Sequence, residues 1–251
     1  MTEPVVEFVE YKKMDLSGYT LIEGFPGLGL VGTIGVKYLI ERMKFEQLGH
    51  IETNFFIPII SIRNGLPVYP SRIFVHRGKK LVAIISEQII PKMMVRHVAK
   101  AIVKWIEKKG IKQVISLEGI RSKGEFLKTE TVYGIADSEA AKELLKKHNV
   151  TIVMDGITTG VTALILLELS QNDKISSCSL LGNVQIAADY EAAAECLKRL
   201  NEILNLNLSI EPLLQEAKET KKALMKQLEG LKKTSETVKK LEESGAMPMY
   251  T

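Results

Sequence analysis

Cysteine is scarce in this chain of 251 residues. The two that occur, Cys178 and Cys196, lie far apart and form no C-x-x-C pair. Neither a disulfide framework nor a zinc ribbon is expected, and a reducing compartment fits. Histidine is no richer. His50, His76, His97 and His148 stand singly, without the spacing that puts two metal ligands on one helix face. A phosphate-binding G-x-x-x-x-G-K-[ST] loop and a G-x-S-x-G nucleophile elbow are both missing. Long apolar runs are missing too. The most apolar stretch, residues 21–40, is broken by Glu23, Pro26, Lys37 and several glycines, which makes it a poor membrane span. The opening residues MTEPVVEFVE are acidic and lack a charged-then-apolar export pattern, so a cytoplasmic protein is expected. Charge is not one-sided either. The net charge is +4, and its Lys and Arg are spread along the chain among Glu rather than gathered into a patch. A nucleic-acid partner is therefore not expected.

What is present is enough apolar residue, 45% of the chain, for a sizeable buried core. Short apolar runs alternate with helical patterns. Strands are expected at 19–24, 47–52, 56–62, 113–119, 131–135, 150–154 and 176–183. IFVH and LVAIIS, joined by Arg77-Gly78-Lys79-Lys80, read as a hairpin within residues 71–87. Helices are expected at 28–44, 91–109, 138–148, 158–171 and 190–204. Pro91 suits a first helical turn, Gly110 a helix end, and Ser138 an N-cap. Thr158 or Thr159 would cap the next helix, whose start could also seat an anion. The alternation predicts an α/β three-layer sandwich around a mostly parallel sheet, with the hairpin as an antiparallel excursion that would make it mixed.

After Leu204 the character changes, which predicts three parts: an α/β domain over 1–204, a linker and long charged helix over 205–243, and a flexible tail over 244–251. Leu214, Ala217, Lys221, Leu224, Leu228, Leu231, Ser235 and Val238 follow a 3-4 spacing with two polar breaks. The helix they imply is a rod roughly 45 Å long. Its apolar stripe is narrow, so it is expected to project. Ser244-Gly245 stops it.

Gly27-Leu28-Gly29-Leu30-Val31-Gly32 matches G-x-G-x-x-G between a strand and a helix, with Glu52 about twenty residues on. Two readings follow. One is a nucleotide or small-molecule site on the turn, and with it an enzyme. The other is a structural turn in which Gly24, Pro26, Gly27, Gly29 and Gly32 allow tight folding and close packing. Glu118, Arg121 and Glu125 flank a second strand end, where α/β folds often place ligands, although one Arg and two Glu in a polar loop are more often simply solvated. No catalytic set and no metal site is expected.

EGFPGLGLVG (23–32) with its apolar helix, together with GITTGVTALILLEL (156–169), resembles the PAC2 family of proteasome-assembly-chaperone-like proteins, across about residues 19–204. The resemblance implies an α/β sandwich without a cofactor, in which the glycines are turn and packing positions. Met249-Tyr250-Thr251 has the hydrophobic-Tyr-any form of the HbYX motif, by which proteasome activators and some assembly chaperones dock between α subunits of the 20S core. With the PAC2-like body and the charged helix, it is similar to archaeal members of the family. That similarity implies a non-enzymatic, ATP-independent chaperone or activator, a homotetramer, and the 20S α subunits as partner.

Overall fold

Two segments of this chain, TLIEG and LVAIIS, bury nearly every side chain. Strands sequestered on both sides need cover on both sides, and helices supply it. The computed structural model describes residues 5–56, 58–121 and 131–219. The chain opens with β1 (Glu7–Glu10) and β2 (Thr20–Gly24), then α1 (Val31–Arg42) and β3 (Glu46–Glu52). A hairpin of β4 (Ser61–Arg63) and β5 (Leu66–Val68) precedes β6 (Ser71–His76) and β7 (Leu81–Ser86). Next come α2 (Val95–Lys109), β8 (Gln113–Ile120), β9 (Val132–Ala136), α3 (Glu139–Lys147) and β10 (Thr151–Ile152). Then follow α4 (Val161–Leu169), β11 (Ser176–Asn183) and α5 (Tyr190–Leu204).

Among the described residues, the main sheet has nine strands in the order β1-β3-β6-β7-β2-β8-β11-β9-β10. Its centre, β7-β2-β8-β11, is parallel. The flanks are antiparallel from β1 to β7 and again where β9 joins β11. The sheet is thus mixed, with parallel pairing concentrated in its centre. Helices α2 and α4 cover one face, over Leu21, Val82, Ile84 and Val114. Helices α1 and α5 pair on the other, where Leu117 meets α1 beside Gly35. These are the three layers expected.

Several elements differ from the sequence pattern. The strand expected at 56–62 is only Ser61–Arg63, and it lies outside the main sheet. Pro58 interrupts the run, and Asn64-Gly65, both at positive φ, turn the chain back onto β5. Helix α4 starts at Val161 rather than Thr158, because Gly160 sits at φ 97° and takes the N-cap position without a side-chain hydrogen bond. Neither Thr158 nor Thr159 caps it. Helix α1 is preceded by a 3-10 turn, Leu28–Leu30, that ends with Leu30 in the left-handed region. Strand β1 was not expected from its acidic sequence. Phe8 stacks on Trp105, and Glu10 accepts hydrogen bonds from Trp105 Nε1 (2.8 Å) and Lys109 Nζ (2.6 Å), which fix it against α2.

The described residues fall into two units, one through Ile210 and one from Glu211. In the first, Asn205 ends α5 in the left-handed region, and Asn201 brackets the backbone of Leu208 from both its side-chain atoms. Tyr38 donates to the Ser209 carbonyl at 2.8 Å. In the second, residues 211–219 are helical. The rest of the expected charged helix, and the tail, lie outside the described residues.

Candidate functional site

The glycine turn is built by close backbone approach. A Cβ on Gly24 would stand 2.2 Å from the Gly32 carbonyl oxygen, and one on Gly32 would stand 2.4 Å from that of Leu117. From the opposite side, Gly119 of β8 leaves room for the Leu28 carbonyl, 2.0 Å from where its Cβ would be. Gly29 adds conformational need to steric need. Its φ is 64°, and a Cβ there would collide with Val184 at 2.6 Å. The Gly29 carbonyl accepts from Asp189 N at 2.8 Å, and Asp189 in turn caps α5 and holds Gln185 N. Gly27 differs from these. A Cβ there would make only ordinary contact, 3.7 Å from Glu118 Oε1. Pro26 is half-buried in the same turn. Glu52, the acidic residue that a ribose would need, ends β3, and β6 and β7 separate that strand from β2. The structure therefore does not bring Glu52 beside the turn.

Next to the turn, at the carboxyl ends of β2 and β8, lie two acids, Glu23 buried and Glu118 half-buried. Glu23 is 0% exposed. Its Oε2 accepts from Thr162 Oγ1 in the first turn of α4 at 3.2 Å. Burial pushes its carboxyl up to about 7. The hydroxyls of Ser116 and Thr162 oppose that rise, and the nearby Glu118 adds to it. Glu118 Oε2 accepts from Thr158 Oγ1 at 3.2 Å, and burial pushes this carboxyl up to about 7 as well. The pair thus ties the loop before α4 to the sheet. The start of α4, read as a possible anion seat, holds the chain's own Glu23 instead. Glu118 is thus joined to Thr158. Arg121 is exposed, and Glu125 lies outside the described residues.

The remaining candidates stay apart. Burial pushes the Cys178 thiol up to about 12 and the Cys196 thiol higher still, so both remain protonated. His50 stacks on Tyr69 with ring centroids 3.6 Å apart, and His76 caps the turn between β6 and β7 through Lys79 N. Among the described residues, no group of three or more His, Cys, Asp or Glu could hold a metal, and no helix is long and apolar enough to cross a membrane. A groove of about 750 Å³ opens between the ends of α2 and α4, lined by Lys100, Lys104, Glu107 and Lys174, and it includes none of the expected residues. Met249, Tyr250 and Thr251 lie outside the described residues. Sequence reasoning missed the acid pair. Its signal was Glu23 itself, a charged residue inside a short strand that reads as buried.

A family model described as the PAC2 family matches residues 21–228. The chain belongs to the PAC2 family. It is similar to the uncharacterized protein MJ0106 of Methanocaldococcus jannaschii, with 32% identity over 84% of this chain and 86% of that one. Among solved structures, it resembles Pyrococcus furiosus PbaA, described as an archaeal homolog of proteasome-assembly chaperone. That match has 30% identity, a TM-score of 0.80, and coverage of 96% of this chain and 99% of PbaA. Pyrococcus furiosus PbaB, described as an archaeal proteasome activator, shares the fold with a TM-score of 0.75 at 23% identity, over 90% of this chain and 99% of PbaB.

Proposed function

We propose that this PAC2-family protein is an ATP-independent, non-enzymatic, cytoplasmic factor that binds the proteasome core particle as an assembly chaperone or activator. The observation that carries the reading is the match to PbaA along almost the whole of both chains. In this reading, residues 249–251 dock into pockets of the 20S α ring. The chemistry suits such a pocket. A carboxylate on Thr251 pairs with a receptor lysine, a charge-assisted contact. Tyr250 offers a flat apolar ring with a hydroxyl for the rim, and Met249 fills an irregular groove. Pro248 lowers the cost of ordering the approach.

Three residues bind weakly alone. A homotetramer, as the family resemblance implies, presents several tails and gains apparent affinity through effective concentration. A four-fold assembly cannot match a seven-fold ring, so only some tails engage at once. The glycine turn takes a structural role in this reading, carried by Gly24, Gly29 and Gly32, with Pro26 and Gly27 completing the same turn.

The test is surface-plasmon binding to an archaeal 20S core particle. The intact chain is expected to bind, whereas Tyr250→Ala, deletion of 249–251, or one residue added after Thr251 is expected to abolish binding without unfolding. Binding retained by all three variants would remove the docking role. Peptide hydrolysis run alongside separates an activator, which accelerates it, from a pure assembly factor.

A further inference from the structure

The chain's Lys and Arg are spread out in sequence, but α2 gathers a row of them. Lys92, Arg96, Lys100, Lys104, Lys108 and Lys112 fall at every fourth residue, and all six are exposed. Met94, Val98, Ile102 and Ile106 keep the same step two residues on, and all four are buried. Two residues turn an α-helix by about 200°. The basic row therefore runs along the face opposite the buried one, and its members cover roughly 30 Å.

The row is also unanswered. On α3 and α5, Lys142, Lys146, Lys198 and Arg199 each meet a glutamate three residues away. Lys109, beside the row, is taken by Glu10. Among the described residues, none of the six forms an ion pair. Charge of one sign without a partner in its own fold draws an oppositely charged partner from outside. The row leads into the groove between the ends of α2 and α4, which Lys100, Lys104 and Lys112 line together with Lys174. Buried Val103, Ile111 and Ile175 give this groove an apolar floor. Three acids face the same space: Glu107, which accepts from Asn172 Nδ2 at 2.8 Å, and Glu168 and Asp173.

We propose that the outer face of α2 and the groove at its end bind an acidic segment of a partner protein, one that carries an apolar side chain among its carboxylates. Charge sets the acidic character, because the row and Lys174 outnumber the three acids. The groove floor sets the apolar one. The acids also favour a protein over a nucleic acid. They repel an unbroken run of phosphates, whereas a protein segment places its carboxylates only where the lysines are. The groove lining has no aromatic ring on which a base could stack. Lysine, which dominates the row, is a flexible point charge that needs no fixed geometry in its partner. An extended segment of about ten residues spans ~33 Å, the length of the row. The site lies on the α/β body and stands whether or not residues 249–251 dock.

The experiment is fluorescence anisotropy with the full chain and labelled peptides, at an ionic strength of about 0.15 M. The acidic probe is a peptide of Glu and Asp, about ten residues long, with central leucines. A second peptide has Gln and Asn in place of the acids, and a third has Ser in place of the leucines. The acidic probe is expected to bind, the neutral one to fail, and the serine one to bind several-fold more weakly. Lys100→Glu/Lys104→Glu is expected to weaken the acidic probe by about tenfold. Lys146→Glu/Lys147→Glu, the same change of net charge on α3, is expected to leave it within about twofold. Lys100 and Lys104 are exposed and unpaired, so a circular-dichroism melt of that variant should match the wild type. Arg96→Gln/Lys112→Gln tests the two ends of the row should the reversal disturb the helix, and is expected to weaken the probe by about threefold. No binding of the acidic probe overturns the proposal, as does equal binding by the wild type and the row variants. A serine probe as tight as the leucine one overturns it as well, since the groove floor then plays no part. Duplex DNA run alongside is expected to bind more weakly than the acidic probe. Tighter binding of the DNA, lost in the same variants, overturns the proposal and assigns the row to a phosphate backbone.

Discussion

The acid pair beside the glycine turn makes stability depend on pH, and Glu23→Gln isolates that dependence. Glu23 is fully buried, and its carboxyl is raised from 4.5 to about 7, chiefly by burial. A carboxyl raised by folding holds its proton more tightly in the folded than in the unfolded chain. Its contribution is full below about 4.5 and is lost as pH rises through 7. The distance between those two values corresponds to about 3 kcal/mol. Glutamine keeps the shape and can still accept from Thr162, but it does not ionise. The variant should therefore gain on the wild type by about 3 kcal/mol between pH 4 and pH 8, whatever the offset between the two proteins at pH 4. For a chain of this size that is a gap in melting temperature widening by roughly 6–12 °C. Thermal melts of both proteins across that range read it directly. Two parallel stability profiles would refute the reasoning, because they would mean that Glu23 titrates normally.

Gly32→Ala should destabilise the protein by about 3 kcal/mol, since the new Cβ meets three backbone groups, the Leu117 carbonyl at 2.4 Å, Gly24 Cα at 3.0 Å and the Phe25 carbonyl at 3.1 Å; a urea titration followed by Trp105 fluorescence measures it. Glu87→Gln leaves the largely buried Arg72 guanidinium without a charged partner and should cost about 3 kcal/mol, read in the same titration. Ser138→Ala removes the bond that the hydroxyl accepts from Ala141 N at the start of α3, and about 1 kcal/mol of stability with it, as the shift of a melt will show.

Elements with a strong local signal were legible. Helix α2 ends at Gly110 as its φ of 70° demands, Ser138 caps α3, and the turn of Arg77–Lys79 joins β6 to β7. The misreadings arose where tertiary contacts decide. Strand β1 has an unremarkable sequence and exists because Glu10 finds Trp105 and Lys109 nearly a hundred residues away. The sequence pattern starts α4 three residues early because Thr158 is a good cap in isolation, whereas in the fold its hydroxyl is committed to Glu118. In the sequence Glu118 reads as part of a polar loop, and Glu23, on the neighbouring strand β2, reads as an interruption in an apolar run and as one residue of a short buried strand. No local pattern reports that two strand ends meet.

The G-x-G-x-x-G turn shows why a motif needs its geometry. The spacing serves two physical ends that coincide in sequence, room for a phosphate and room for another backbone. Here the second is visible. Leu28, Gly32 and Gly24 are in contact with Gly119, Leu117 and one another, at distances that would exclude a methyl group. In open α/β sheets, ligands favour the crevice beyond the carboxyl ends of the parallel strands. In this chain that position is taken up by its own groups, with Thr162 on Glu23 and Thr158 on Glu118. A fold that uses the customary ligand position for internal contacts favours a role exercised at its surface. The basic outer face of α2 with its groove, and the segment beyond residue 219, are accordingly where partners should be sought first.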